Sequence, residues 1–339
     1  MLKKRVIIAC LLGIGFFGYI DQAYANQSDF STFSVEGVHN ENQLDPDAGY
    51  FYLRENPGSQ DEIKLTIKNT SSKDRTFTVK VTDANTNTNG LIDYTGQLPN
   101  ASELETPLTT VVDPVQQEVV VSKNSTKDVA INIKMPQESQ PGVLMGGIVV
   151  SEKKNSDNKS KTISIGNTYS YTLGVVLTNE NNTTFNKNIS VQLKKVQAKL
   201  SDGKKIIEGM ILNNNPYIFG TAVMTGKVVK EKNKEVVKEK KQNEINIAPY
   251  SVFPFQIDYK KDELSAGNYI FEGKLKTKEN TWRFSKRFII TEKEATNINK
   301  KSVFQVRISS WLNYALYLLA ILNVLILITI FLMWGKRHE

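Results

Sequence analysis

From Phe30 to Ile290 short apolar, β-branched runs alternate with clusters of Asn, Gly, Pro, Ser and Asp, at a spacing of roughly ten residues. Period-two alternation of this kind marks antiparallel strands with one buried face, and a long series of them predicts an all-β protein built from immunoglobulin-like sandwiches. Glu62–Lys68 (EIKLTIK) and Thr76–Val81 (TFTVKV) show the pattern most clearly. It turns Ile63, Leu65, Ile67, Phe77, Val79 and Val81 inward and, with the turn-like Asn69–Asp74 between the runs, predicts a hairpin. Further strands are expected at Val115–Val121, Val129–Met135 and Leu144–Glu152.

Lys153–Lys161 carries no apolar side chain and is taken as a boundary. A second series then runs through Tyr169–Thr178, Ile189–Val196, Ile206–Leu212, Thr221–Lys230, Glu244–Ile247, Val252–Tyr259, Tyr269–Leu275 and Trp282–Ile290. The two series share an echo: Ala130–Pro136 followed by Pro141-Gly142 and a strand parallels Phe255–Tyr259 followed by Ala266-Gly267 and a strand, as a duplicated sandwich would. Lys227–Lys241 has the form of a charged hairpin around Asn233, its lysines guarding a sheet edge.

Two apolar segments break the alternation. Lys3, Lys4 and Arg5 precede an apolar run from Val6 to Ile20 and then Ala23-Tyr24-Ala25, the form of a signal peptide cleaved after Ala25. Cys10 sits in a loose lipobox match, but the apolar run continues well past it. Trp311–Trp334 has no charged side chain and is long enough to be a membrane span, with Trp311, Tyr314 and Tyr317 at one interface and Trp334 at the other. The expected organisation is a signal peptide at 1–25, a first sandwich at 26–153, a linker at 154–162, a second sandwich at 163–294, a stalk at 295–310, a single span at 311–334 and a cytosolic tail at 335–339. The cleaved signal would place the sandwiches on the extracellular, cell-wall side.

Composition narrows the chemistry. The sole cysteine lies in the signal segment, so the mature chain has neither disulfides nor thiolate metal sites, and two domains of this size fold without staples. His39 is the one histidine between the two apolar segments and lies in polar, loop-like sequence. A histidine triad or His-ligated metal therefore has little to build on. Asp45, Asp47, Glu55 and Asp61 are scattered through turn sequence, and no catalytic pair is assigned. No enzyme activity and no cofactor is expected. The formal charge is +8, and +6 once Lys3, Lys4, Arg5 and Asp21 are removed. A basic exported surface suits teichoic acid or anionic headgroups, with Lys227, Lys230, Lys232, Lys234, Lys238, Lys240 and Lys241 as the contact. Nothing in it has the aromatic-basic interleaving of a nucleic-acid binder.

Several short motifs occur in fixed order. Asn40–Gln43, Gly49–Leu53, Asn56–Gly58, Ile67–Asn69, Thr86–Gly90, Ile92–Tyr94 and Pro141-Gly142 to Gly146–Ile148 resemble the pattern of the WxL-interacting proteins of Gram-positive bacteria. Asn215-Pro216, Ile247–Pro249, Ala266–Tyr269 and Trp282–Phe288 resemble that family's C-terminal region. The resemblance implies a membrane-anchored surface protein whose first domain binds peptidoglycan, whose second binds host or partner proteins, and which assembles with WxL-type surface proteins. The chain has no Trp-x-Leu wall-binding motif and no Leu-Pro-x-Thr-Gly sorting signal. Sugar recognition needs rings for CH faces and amides for hydroxyls. Asn40, Asn42, Gln43, Tyr50, Phe51, Tyr52, Asn87, Asn89 and Tyr94 supply both, although Phe51 and its neighbours also fit a core strand and 85–89 a turn. The alternative reading is an adhesin or chaperone-like scaffold that recognises proteins along an open sheet edge.

Overall fold

The two most regular alternations do form strands, but in opposite sheets. The computed structural model describes residues 32–153, 169–183, 186–187, 190–304 and 310–335. The expected signal peptide, the linker at 154–162 and all of the tail except Gly335 lie outside the described residues. The first sandwich contains β1 (Phe33–Val38), β2 (Phe51–Arg54), β3 (Gln60–Asn69), β4 (Arg75–Asp83), the small hairpin of β5 (Asn85–Thr86) and β6 (Ile92–Asp93), β7 (Val112–Asp113), β8 (Gln116–Val121), β9 (Ser125–Lys134), β10 (Leu144–Glu152) and β11 (Ser170–Thr178). One sheet runs β1-β3-β9-β7 and the other β2-β11-β10-β4-β8.

The hairpin expected from Glu62 to Val81 is therefore corrected: β3 pairs with β1 and β9, and β4 with β8 and β10. All six inward residues are buried in one shared core, as the alternation requires. Alternation fixes which face of a strand is buried, and two sheets facing one core satisfy it as well as two neighbours in one sheet. Asn69 anchors the crossing. Its buried side-chain amide donates to the carbonyls of Lys73 at 2.9 Å, Val121 at 3.0 Å and Ser122 at 3.2 Å.

The second sandwich comprises β12 (Val191–Ser201), β13 (Lys204–Asn213), β14 (Phe219–Lys230), β15 (Val236–Ile247), β16 (Val252–Asp258), β17 (Gly267–Lys276) and β18 (Thr281–Ile290), in sheets β12-β13-β16 and β15-β14-β17-β18. Setting aside β2 and β7, the first sandwich follows the same path, with β1-β3-β9 facing β8-β4-β10-β11. The echo in the sequence falls on topologically equivalent strands, β9 and β10 against β16 and β17. The same comparison makes β11 the last strand of the first sandwich rather than the opening strand of the second. It pairs with β10, and its Val175 and Leu177 sit in the first core. A polar stretch can join neighbouring strands of one sheet as readily as two domains.

Lys227–Lys241 is the expected hairpin of β14 and β15, and Glu244–Ile247 is the end of β15 rather than a separate strand. The edge is guarded partly from within: half-buried Lys240 lies 5.1 Å from the Phe255 ring centre. The first part of the expected stalk, 295–301, belongs to helix α1 (Glu292–Lys301), which buries Ala295 and Ile298 in the second core. Thr291 and Glu294 form a reciprocal capping box at its start.

A further helix, α2, spans Ser310–Gly335. Among the described residues, however, no helix is long and apolar enough to cross a membrane. The single-pass location expected from sequence, with the sandwiches outside and the tail in the cytosol, is corrected accordingly.

Candidate functional site

The pleat of β2 separates its aromatic residues. Phe51 and Leu53 enter the first core, while Tyr50 is exposed and Tyr52 half-buried outside it. The Tyr50 and Tyr52 rings stack with centroids 6.4 Å apart and planes 25° from parallel. They share the outer face of the five-stranded sheet with Tyr94, which follows β6. Glycine makes this possible: Gly147 on β10 pairs with Gly174 on β11. A Cβ on Gly147 would stand 2.9 Å from Tyr94 Cβ, and one on Gly174 would stand 3.4 Å from Tyr50 Cβ. Without side chains at these paired positions, the tyrosines lie directly over the sheet.

The cleft above this floor measures about 740 Å³. Leu91, Ile92, Val143, Met145, Thr172 and Val176 continue its wall, and the second sandwich adds Tyr217, Ile218 and Asn246. Among the described residues, none that lines it is charged. Burial, followed by the field of Tyr50, pushes the Tyr94 hydroxyl up to about 12, and burial followed by Asp45 raises Tyr50. Both hydroxyls thus stay protonated near neutral pH. Tyr52 is hydrogen-bonded through its hydroxyl to Thr183.

The second sandwich reaches the cleft because the β5–β6 hairpin docks on it. Thr86 Oγ1 accepts from the Ala248 N–H at 3.0 Å and lies 3.0 Å from Ser251 Oγ, while Gly90 O accepts from the Asn246 N–H at 2.7 Å. Pro216 O accepts from the Val143 N–H at 2.9 Å. Glu180 gathers the Gly142 N–H at 3.1 Å, Lys187 at 2.9 Å and the Tyr217 hydroxyl. Burial alone would raise the Glu180 carboxyl, but these donors hold it below the usual carboxylate range.

Of the aromatic and amide residues singled out from the sequence, Tyr50, Tyr52 and Tyr94 converge in the cleft. Phe51 is core, only 2 % exposed. Asn40 and Asn42 donate to Asp61 at 2.6 and 2.9 Å, and Asn42 also to Glu55 at 3.3 Å. Gln43 folds back on its own loop, donating to the carbonyls of Asp45 and Tyr50 at 2.8 and 3.1 Å and accepting from the Tyr52 N–H at 3.1 Å. It shapes the loop that presents the tyrosines. Asn87 closes a turn by accepting from the N–H groups of Asn89 and Leu91 at 2.9 and 3.2 Å, and Asn89 is exposed at that turn. Glu55 and Asp61, scattered in sequence, form an inward-facing cluster with Asn40, Asn42 and Ser59. Among the described residues no group of three or more His, Cys, Asp or Glu is placed to hold a metal.

Three of the seven lysines of the patch are paired with acids. Lys227 meets Glu239 at 3.4 Å, Lys230 meets Glu235 at 2.8 Å and Lys238 meets Asp262, while Lys232, Lys234 and Lys241 are exposed. Sequence reasoning missed Met145, Thr172, Tyr217, Ile218 and Asn246, which no local pattern unites. The Gly146-Gly147 pair inside an apolar strand was the one available signal, since glycine in a strand marks close approach of another group.

Residues 33–152 match the model of the WxL Interacting Protein peptidoglycan binding domain, and residues 160–300 match that of its host binding domain. The chain belongs to the WxL-interacting protein family. Both matched regions are binding domains of a surface protein rather than enzymes, with peptidoglycan and host proteins as their ligands. The second match begins before β11, so the family regions and the two sandwiches divide the chain at different points. No curated protein matches the chain.

Among solved structures, the Escherichia coli chaperone DraB is 14% identical over 76% of this chain and 98% of its own, with a TM-score of 0.27. The Pseudomonas aeruginosa CupB2 chaperone is 15% identical over 69% and 95%, with a TM-score of 0.24. PapD-like domain 7 of human CEP192 is 10% identical over 44% and 84%, with a TM-score of 0.26. Scores this low carry no argument, and the fold assignment rests on the strand order.

Proposed function

We propose that this chain is a non-enzymatic surface adaptor that docks on peptidoglycan through Tyr50, Tyr52 and Tyr94 on the outer face of the five-stranded sheet. The second sandwich engages host proteins or WxL-type surface partners. The observation that carries the reading is the convergence of three tyrosines, from β2, from the residue just before it and from the segment after β6, over a floor of paired glycines. Rings with an apolar face and a hydroxyl edge suit ligands that present CH faces ringed by hydroxyls. Three of the seven lysines of the hairpin are already paired with acids, which reduces the charge it offers to teichoic acid.

The test is retention of the purified chain on insoluble cell wall before and after removal of teichoic acid, at low salt and at about 0.5 M salt, where exposed charge pairs are screened. Retention that survives both treatments is the expected result. Loss on stripping would transfer the function to charge.

One observation favours a second reading. β18 is an edge strand, and its Ile289 is 68 % exposed. Recognition of an extended protein segment along that edge predicts a protein partner whose binding is unchanged by substitution of Tyr50 or Tyr94.

A further inference from the structure

We infer that the cleft is a composite subsite for an N-acetylated hexosamine, completed only by the second sandwich. This rests on the peptidoglycan reading and adds the ligand group and the residue that selects it. Tyr50 and Tyr94 meet the sugar faces, Met145 and Ile218 take the acetamido methyl, and Asn246 donates to the acetamido carbonyl.

The composition of the wall carries the argument. A plain hexose is ringed by hydroxyls, and each hydroxyl buried without a partner is costly. This cleft is predominantly apolar and has few polar groups to offer. An acetamido substituent replaces one hydroxyl by an N–H, a carbonyl and a methyl; the methyl gains from apolar contact with this wall, and the carbonyl, a strong acceptor, needs a donor. Asn246 is suited to be that donor. Its backbone N–H is held by Gly90 O at 2.7 Å, and its Oδ1 accepts from the Thr221 N–H at 3.0 Å. What it can present to a ligand is the amide NH2. Among the described residues none that lines the cleft is charged, which disfavours phosphorylated or carboxylated ligands, since they would be desolvated without a counter-charge in direct contact. The volume of about 740 Å³ lies within the range of small-molecule sites and has room for more than one pyranose ring.

Ile218 and Asn246 belong to the second sandwich, whereas Tyr50, Tyr94 and Met145 belong to the first. The sugar would therefore bridge the β5–β6 hairpin, β10 and the start of β14, and binding would depend on the junction between sandwiches.

The experiment is calorimetric titration of the full chain with a β-1,4-linked N-acetylglucosamine tetramer and, in parallel, with the glucose tetramer of the same linkage. The N-acetylated tetramer is expected to bind, and the glucose tetramer to bind at least about 10-fold more weakly. Asn246→Asp retains an oxygen for the Thr221 N–H and removes the donor, so it should weaken the N-acetylated tetramer about 10-fold while the melting temperature stays put. Ile218→Ala provides a second reading of the same wall should Asn246→Asp prove unstable, and Lys232→Ala should leave binding unchanged. Equal affinity for the two tetramers, or full affinity in Asn246→Asp, would overturn the inference. If neither tetramer binds but stripped wall still retains the chain, the subsite falls and the peptidoglycan reading stands. Absence of both would remove both.

Discussion

Glu55 is 2 % exposed against Asp61, Asn42 and Ser59. Burial, and then the hydrogen bond and charge of Asp61, push its carboxyl from 4.5 to about 7. Burial also acts to raise Asp61, but hydrogen bonds from Asn42, the Glu62 N–H and the shared Glu55 proton hold it low. Between 4.5 and about 7 the folded chain keeps a proton on Glu55 that the unfolded chain has lost. That contribution to stability is complete on the acid side and disappears as pH rises through about 7. From about pH 5 to about pH 8 the melting temperature of the wild type should fall relative to Glu55→Gln, a divergence on the order of 2 kcal/mol. Parallel pH curves would contradict the shared proton. Asn213 gives a second test. Its buried amide donates to the carbonyls of Tyr217, Ile247 and Ala248 at 2.9, 3.2 and 3.1 Å, at the end of β13, as Asn69 does at the end of the equivalent β3. Asn213→Ala should cost about 2–3 kcal/mol in denaturant unfolding, because three buried carbonyls lose their donor.

At the scale of elements, the strands were legible and their neighbours were not. Ile63 to Ile67 and Phe77 to Val81 announced their buried faces, because side chains alternate with the pleat whatever the pairing. The partner of β4 depends on strands far along the chain, and nothing local encodes it. α1 was hidden by its polar composition. Ala295 and Ile298 are its only buried side chains, too few to raise an apolar stripe, although Thr291 and Glu294 had the spacing of a capping box. Thr291→Ala should lower stability by about 1 kcal/mol through loss of that cap, read as a drop in the denaturation midpoint. The glycine floor belongs to this scale as well. Gly147→Val would drive its side chain into Tyr94 and should weaken wall retention while circular dichroism and cooperative unfolding stay intact; unchanged retention would detach the tyrosines from binding.

Over the whole molecule, the sequence carried the duplicated sandwich plan and even the equivalent strands; its boundary at Lys153–Lys161 falls where the two family regions divide, while strand pairing carries the first sandwich on through β11. The site was half legible for a related reason. Tyr50, Tyr52 and Tyr94 stood out as rings near polar turns, whereas Asn40, Asn42 and Gln43 spend their amides on their own loops, and Tyr217 and Asn246 arrive only through folding. Gly142 shows how tightly the sandwiches meet: its φ is +73°, and a Cβ there would lie 2.1 Å from Pro216 O. Gly142→Ala should loosen the junction, seen as a larger radius of gyration in solution scattering with both cores still folded.

The most direct measurement compares retention of the purified wild-type chain and Tyr50→Ala/Tyr94→Ala on peptidoglycan stripped of teichoic acid. The account predicts at least about a 10-fold loss of affinity in the double variant, since ring–ligand contacts of this kind are worth about 1–2 kcal/mol together with their buried area, and no loss in Lys232→Ala/Lys234→Ala. Retention of the tyrosine variant at wild-type level, or its loss in the lysine variant alone, would contradict the account.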